Sequence, residues 1–168
     1  MKYIKRYEKL YSIDDLIENI QNLNMVKKIL SSGIDPNSYG KTYYPVIHLA
    51  AYYDNIEVFD ILLKYGAKID GINTSNGNTT LIDFSFYSSL NKLYDIDMLC
   101  HIIDKGADWS IVNFDGKDFM DALYYNNSIH PKLQYSEKDN IINDIIKKYP
   151  EKYKEYLIKK DSNKYNIW

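Results

Sequence analysis

Residues Pro45 to Asp70 read PVIHLAAYYDNIEVFDILLKYGAKID, and the spacing of apolar residues here decides the fold. Two short amphipathic runs follow one another. The first, near Ile47 to Tyr53, carries small residues at Ala50 and Ala51. The second, near Ile56 to Lys64, sets Val58, Phe59, Leu62 and Leu63 on one helical face at intervals of three and four. Gly66 comes directly after, where a helix end commonly turns through a left-handed backbone. The pattern predicts two helices packed back to back.

Val46-Ile47-His48-Leu49-Ala50-Ala51 resembles the opening of an ankyrin repeat, whose 33-residue unit carries T-P-L-H-x-A. Leu62 to Asp70 resembles the end of that unit's second helix. Pro45 stands one place early, so the entry turn departs from the family's. The unit recurs in register. Gly33 lies 33 residues before Gly66, and Leu23, Met25, Val26, Ile29 and Leu30 lie 33 before Ile56, Val58, Phe59, Leu62 and Leu63.

Working outward, Ser12 and Asp15 form a capping box that opens a helix running to about Asn22. A third unit begins at Asn76-Gly77-Asn78-Thr79-Thr80-Leu81, with Thr80 in place of the family's proline. Its second helix holds Ile96, Met98, Leu99, Ile102 and Ile103 and ends at Gly106, 40 residues beyond Gly66. That excess predicts an insertion at Ser88 to Tyr94. A fourth unit opens at Asp115-Gly116-Lys117, then diverges: Asn126 to Tyr135 is expected as a loop, and Ser136 to Asp139 as a capping box for a helix carrying Ile141, Ile142, Ile145 and Ile146. Pro150 ends that helix. Glu151 to Lys160 is expected as a closing helix and Ser162 to Trp168 as a frayed tail, with docking of Ile167 and Trp168 on the end as the alternative. The expectation is one all-α domain over 1–168, an ankyrin-type solenoid of stacked antiparallel helix pairs. It divides into a capping unit at 12–38, units at 39–71, 72–111 and 112–149, and a closing segment at 150–168.

The chain has 168 residues, 45% of them hydrophobic and 26% charged, which suits a packed core. A net charge of −2 without a free basic block argues against nucleic acid as a partner. One cysteine allows no internal disulfide and fits a reducing compartment. MKYIKRYEKLYS at the start has no apolar run of the signal-peptide kind, and no stretch of about 18 apolar residues predicts a membrane span. A cytoplasmic protein, of the producing cell or a host cell, is expected. Tyrosine numbers 18, and Arg6 is the sole arginine. Tyrosine-rich surfaces bind proteins at small entropic cost. AT-rich codons for Lys, Asn, Ile and Tyr account for the same total, so position matters more than number.

Catalytic and metal readings find little support. His48 holds the T-P-L-H position, where the resemblance implies a structural hydrogen bond to backbone. Cys100 and His101 are helix neighbours, so their side chains diverge by roughly 100° and Cys100 reads as a small buried hydrophobe. His130 has no motif around it. One Cys and three scattered His give no metal spacing, and no phosphate-cradling glycine loop occurs. No cofactor is expected.

What the resemblance implies is protein binding: hairpin tips and the exposed end of the first helix line a concave surface that grips a partner. Carried over by register, those positions are Tyr39, Lys41, Tyr52 and Tyr53 in the second unit, Asn76, Asn78, Phe86 and Tyr87 in the third, and Phe114, Lys117, Tyr125 and Asn126 in the fourth. Aromatic pairs Tyr52-Tyr53, Phe86-Tyr87 and Tyr124-Tyr125 end successive first helices and predict an aromatic strip of the kind that supplies hot spots. The competing reading makes one of each pair ordinary core, and Tyr53 and Tyr87 are the two expected to be exposed. The expected function is a monomeric, non-catalytic adaptor or inhibitor. Its alternatives are an enzyme sited within Tyr124 to Trp168 and a self-associating solenoid.

Overall fold

A computed structural model describes residues 10–87, 96–129 and 135–165, apart from the side chains of 87, 125–129, 135–141 and 163–165. Regular structure among the described residues is helical throughout: α1 (Ile13–Glu18), α2 (Leu23–Ser31), α3 (Val46–Tyr52), α4 (Ile56–Lys64), α5 (Thr80–Tyr87), α6 (Ile96–Asp104), α7 (Phe119–Ile129), α8 (Tyr135–Lys148) and α9 (Pro150–Tyr165). They form two compact units, one ending at Lys68 and the next starting at Ile69.

The first unit holds two helix pairs, α1–α2 and α3–α4. Ser12 caps α1: its hydroxyl accepts from the Asp15 amide at 3.2 Å, while the Asp15 carboxylate accepts from the Ser12 amide at 2.9 Å. The helix stops at Glu18, earlier than the expected Asn22, because Asn22 serves elsewhere. Its Oδ1 accepts from the Met25 amide at 3.2 Å and so starts α2. Asn55 does the same for α4, accepting from Val58 at 3.0 Å. These two caps lie 33 residues apart, and losing either costs about 1 kcal/mol. Leu16, Val26, Ile29, Ile47, Ala50, Val58, Phe59 and Leu62 form the buried face. Truncating Phe59 to Ala would cost roughly 3–5 kcal/mol through the cavity left behind.

The second unit packs α5 against α7 and α6. Leu81, Ile82, Met98, Ile102, Ile103, Phe119 and Leu123 are fully buried there. Cys100 is buried among them, in keeping with its reading as a small hydrophobe. Gly33, Gly66 and Gly106 all have positive φ, at 94°, 91° and 100°, so the three units end their second helices alike.

Helix α7 continues to Ile129, so the expected loop from Asn126 to Tyr135 is helical at Asn126–Ile129 and again at Tyr135, and 130–134 lie outside the described residues. Asn126, Asn127 and Ser128 are weak helix formers, but neither Gly nor Pro interrupts Phe119 to Ile129, and propensity alone does not stop a helix already packed at its start. Helix α8 begins at Tyr135, placing Ser136 inside its first turn. Lys148 ends it, Tyr149 follows, and Pro150 is the first residue of α9, where a missing N–H costs nothing. Helix α9 is longer than expected, reaching Tyr165. The proposed insertion at 88–94, His130, Ile167 and Trp168 lie outside the described residues.

Candidate protein-binding surface

Two loops of the second unit, 69–79 and 107–118, are built by the same local chemistry. In each, an asparagine closes a turn on its own backbone, the habit of Asx turns. Asn73 Oδ1 accepts from the Ser75 amide at 2.8 Å, and the Asn73 amide donates to the Asn78 carbonyl at 2.9 Å. Asn113 Oδ1 accepts from Asp115 at 3.0 Å and Lys117 at 2.9 Å, and its amide donates to the Lys117 carbonyl at 2.9 Å.

A chain of buried amides joins the loops. Asn113 Nδ2 donates to Asn78 Oδ1 at 2.7 Å, and Asn78 Nδ2 donates to Asp83 Oδ1 at 2.6 Å. Asn73 Nδ2 reaches Asp83 Oδ2 at 3.4 Å. Buried polar groups satisfied in this manner rigidify what they connect. At the outer end the Phe114 amide donates to the Asn76 carbonyl at 2.9 Å. The Phe114 ring lies against bare backbone at Gly77: a Cβ there would meet it at 2.5 Å, and φ at Gly77 is +75°.

Deeper along the loops, Asp70 Oδ1 accepts from the Asp108 amide at 3.2 Å. Burial holds the Asp70 carboxyl above the ordinary carboxylate range, and the neighbouring Asp108 adds to the rise. Burial pushes Asp108 up as well, but hydrogen bonds from Lys159 and Ser110 outweigh it and leave this carboxyl below the usual value.

Residues 16–113 match the family described as ankyrin repeats (3 copies). The chain belongs to the ankyrin repeat family. Ankyrin repeats generally mediate protein–protein interaction. An ankyrin repeat protein of fowlpox virus (strain NVSL) is 31% identical over 94 residues, a span of 56% of this chain and 20% of that protein. The chain therefore covers about a fifth of the length of the curated relative it matches. No helix among the described residues is long and apolar enough to cross a membrane.

Within this ankyrin chain the residues singled out by register fall into distinct settings. Phe114 is 67% exposed at its loop tip, and Lys117 is exposed beside it. Asn76 is half-buried, its Oδ1 accepting from the Asn78 amide at 3.0 Å. Asn78, expected on the surface, is 2% exposed. Its amide is spent inside the ladder to Asp83 and Asn113, so it is withdrawn from the binding positions. Phe86 is half-buried. The side chains of Tyr87, Tyr125 and Asn126 lie outside the described residues.

In the first unit Tyr52 and Tyr53 are 57% and 47% exposed, with rings edge-on at 5.3 Å between centroids. Tyr39 is exposed too. The Lys41 amide donates to Asp14 Oδ1 at 2.8 Å, which fixes the base of the Tyr39–Tyr44 loop. His48 is buried with its ring 6.3 Å from that of Tyr44. The structure thus brings Tyr52 to Tyr53 and Phe114 to Asn76.

Reading by aromatic pairs misses two exposed aliphatic residues, Ile72 and Val112. A register signal marks them. Tyr39, Ile72 and Val112 each stand six residues after the glycine that ends a second helix, Gly33, Gly66 and Gly106, and all three are exposed.

Proposed function

We propose that the chain is a non-catalytic binding module, an adaptor or inhibitor that holds one protein partner through exposed residues of its repeats. The contact positions are Tyr39, Tyr52 and Tyr53 on the first unit and Ile72, Val112 and Phe114 on the second. One observation carries this reading: large apolar side chains stand exposed on loops and a helix end whose backbones are fixed by hydrogen bonds. Exposed apolar surface on a rigid frame loses little entropy when a partner covers it, which is the condition for an anchor. The loop tips supply specificity, because they differ most between units. Family membership alone does not fix function, so the proposal rests on these exposed anchors. The fowlpox relative favours a virus-borne protein acting in the cytoplasm of a host cell, as a monomer until its partner is met.

Affinity capture from cells that produce the protein, with mass spectrometry and titration of whatever is retained, tests the reading. One stoichiometric partner is expected. Tyr53→Ala with Phe114→Ala is expected to weaken its binding at least about tenfold, a change of roughly 1.4 kcal/mol, while thermal stability stays put. Turnover of a substrate without any partner, or assembly that rises with the chain's own concentration, sinks it.

A further inference from the structure

Helix α9 closes the second unit with a face unlike the apolar faces of the core. Lys152, Tyr153, Tyr156, Lys159 and Lys160 recur at spacings of three and four. The Tyr156 hydroxyl donates to Asp118 Oδ2 at 3.0 Å, and Lys160 Nζ donates to the same oxygen at 2.7 Å. Lys159 Nζ donates to Asp108 Oδ2 at 2.7 Å. Trp109 forms the floor, its ring centroid 6.2 Å from that of Tyr149 and 6.4 Å from that of Tyr156. The aliphatic residues of α9, Leu157 and Ile158, are exposed instead. A cleft of about 150 Å³ runs along the seam, lined by Asp108, Trp109, Lys152, Glu155 and Lys159 among others.

Burial pushes the Tyr156 hydroxyl up to about 12. Burial works to lower Lys160, yet its bonds to Asp118 and Tyr156 prevail and hold it above the ordinary lysine value. Asp118 is held inside, its side chain 4% exposed, whereas the Lys159–Asp108 pair is open to solvent at 53% and 34%. Such a pair is screened by salt and contributes little by itself. Tyr149 alone separates α8 from α9. Its hydroxyl donates to the Cys100 carbonyl at 3.3 Å, which pins the pivot while leaving the helix beyond it to its side-chain bonds.

We propose that α9 is a displaceable occupant of an acidic, tryptophan-floored face, an internal ligand that keeps a second recognition site shut. The face formed by Asp108, Trp109, Asp118 and Asp121 takes a helix presenting tyrosine and lysine as Tyr-x-x-Lys-Lys, the pattern of Tyr156 to Lys160. Charge complementarity supports this occupant: the face offers carboxylates at both ends, and α9 answers with Lys159 and Lys160. The site is independent of the loop-tip surface, since Val112 and Phe114 stay exposed while α9 is docked. A partner helix of the same chemistry gains access only as α9 lifts, so the full chain is self-inhibited toward it.

Hydrogen exchange on the full chain and a peptide of residues 149–165 added in trans test this. In Lys159→Ala/Lys160→Ala, amides of 152–160 are expected to exchange about tenfold faster than in wild type, with α5 and α7 unchanged. In about 0.5 M NaCl the wild type is expected to show a smaller change in the same amides, because salt screens the open Lys159–Asp108 pair more than the pair on buried Asp118. Lys159→Arg/Lys160→Arg keeps the charges and is expected to behave as wild type. The peptide is expected to bind the alanine variant about tenfold more tightly than wild type, because the face has been vacated. Exchange of α9 in step with α5 and α7 under every condition overturns the proposal, as does peptide binding that is equal in the two chains or absent from both.

Discussion

The two units hold their successive loops together at the same register position but with opposite chemistry. In the first, Asn37 stands four residues after Gly33; its Oδ1 accepts from the Lys68 amide at 2.9 Å, and its Nδ2 donates to the Gly66 carbonyl at 2.9 Å. In the second, Asp70 stands four residues after Gly66 and accepts from the Asp108 amide at 3.2 Å. An amide satisfies both a donor and an acceptor across the gap, and carries no charge. A carboxylate satisfies only the donor, and brings a charge close to Asp108. The second unit repeats this choice at Asp83 and Asp118, each buried and each surrounded by donors from elsewhere in that unit. At this register position the first unit is thus tied by a neutral group and the second by an anion.

The largest effect is expected where one buried carboxylate serves two buried amides. Asp83→Ala leaves the amides of Asn73 and Asn78 without their acceptor, and a loss of about 3 kcal/mol in urea denaturation is expected. Next comes a change that gives the first unit the second unit's chemistry. Asn37→Asp removes the donor to Gly66 and is expected to cost about 1 kcal/mol, read from the thermal midpoint.

The reverse exchange, Asp70→Asn, sharpens the contrast through pH. Asp70 binds its proton more tightly in the folded chain than in the unfolded one. Its contribution therefore favours folding at low pH and declines as pH rises from the ordinary carboxylate value through the raised one. Asp70→Asn is expected to stabilise by up to about 1 kcal/mol at neutral pH and to gain nothing in acid. Asp108 works the other way: its lowered value gives stability that is present above the ordinary carboxylate range and lost as pH falls through the depressed one. Stability measured against pH for Asp70→Asn and wild type separates the two. The smallest effect is expected at Tyr53, where Tyr53→Ala should change the thermal midpoint by no more than the equivalent of about 0.5 kcal/mol. A large loss there would make that ring part of the core.

Much of this was legible in the order of residues, and the limits have physical causes. The α4 run is expected near Ile56 to Lys64 and occupies Ile56–Lys64, because four apolar residues at helical spacing and a following glycine mark it, and the Asn55 cap fixes its start. The register of Gly33, Gly66 and Gly106 marks the ends of α2, α4 and α6, since a left-handed turn strongly favours glycine. The far end of α7 was not legible: Asn126 to Ser128 look like loop by composition, and only packing at the helix start carries them into the helix. Asn78 was misplaced because a polar residue beside a turn glycine reads as surface. Its burial depends on Asp83 and Asn113, five and thirty-five residues away. Docking of Tyr156 and Lys160 on Asp118 likewise joins residues 38 and 42 apart, a distance no periodicity reports.

Gly77 shapes the loop-tip surface by having no side chain at all. Phe114 rests too close to leave room for a Cβ, so the pose of this exposed ring is set by a residue in the preceding loop. Even a single methyl group added at Gly77 would tilt that ring away from its seat. A lineage bearing this chain could therefore re-aim its loop tip through position 77, with Phe114 itself left untouched.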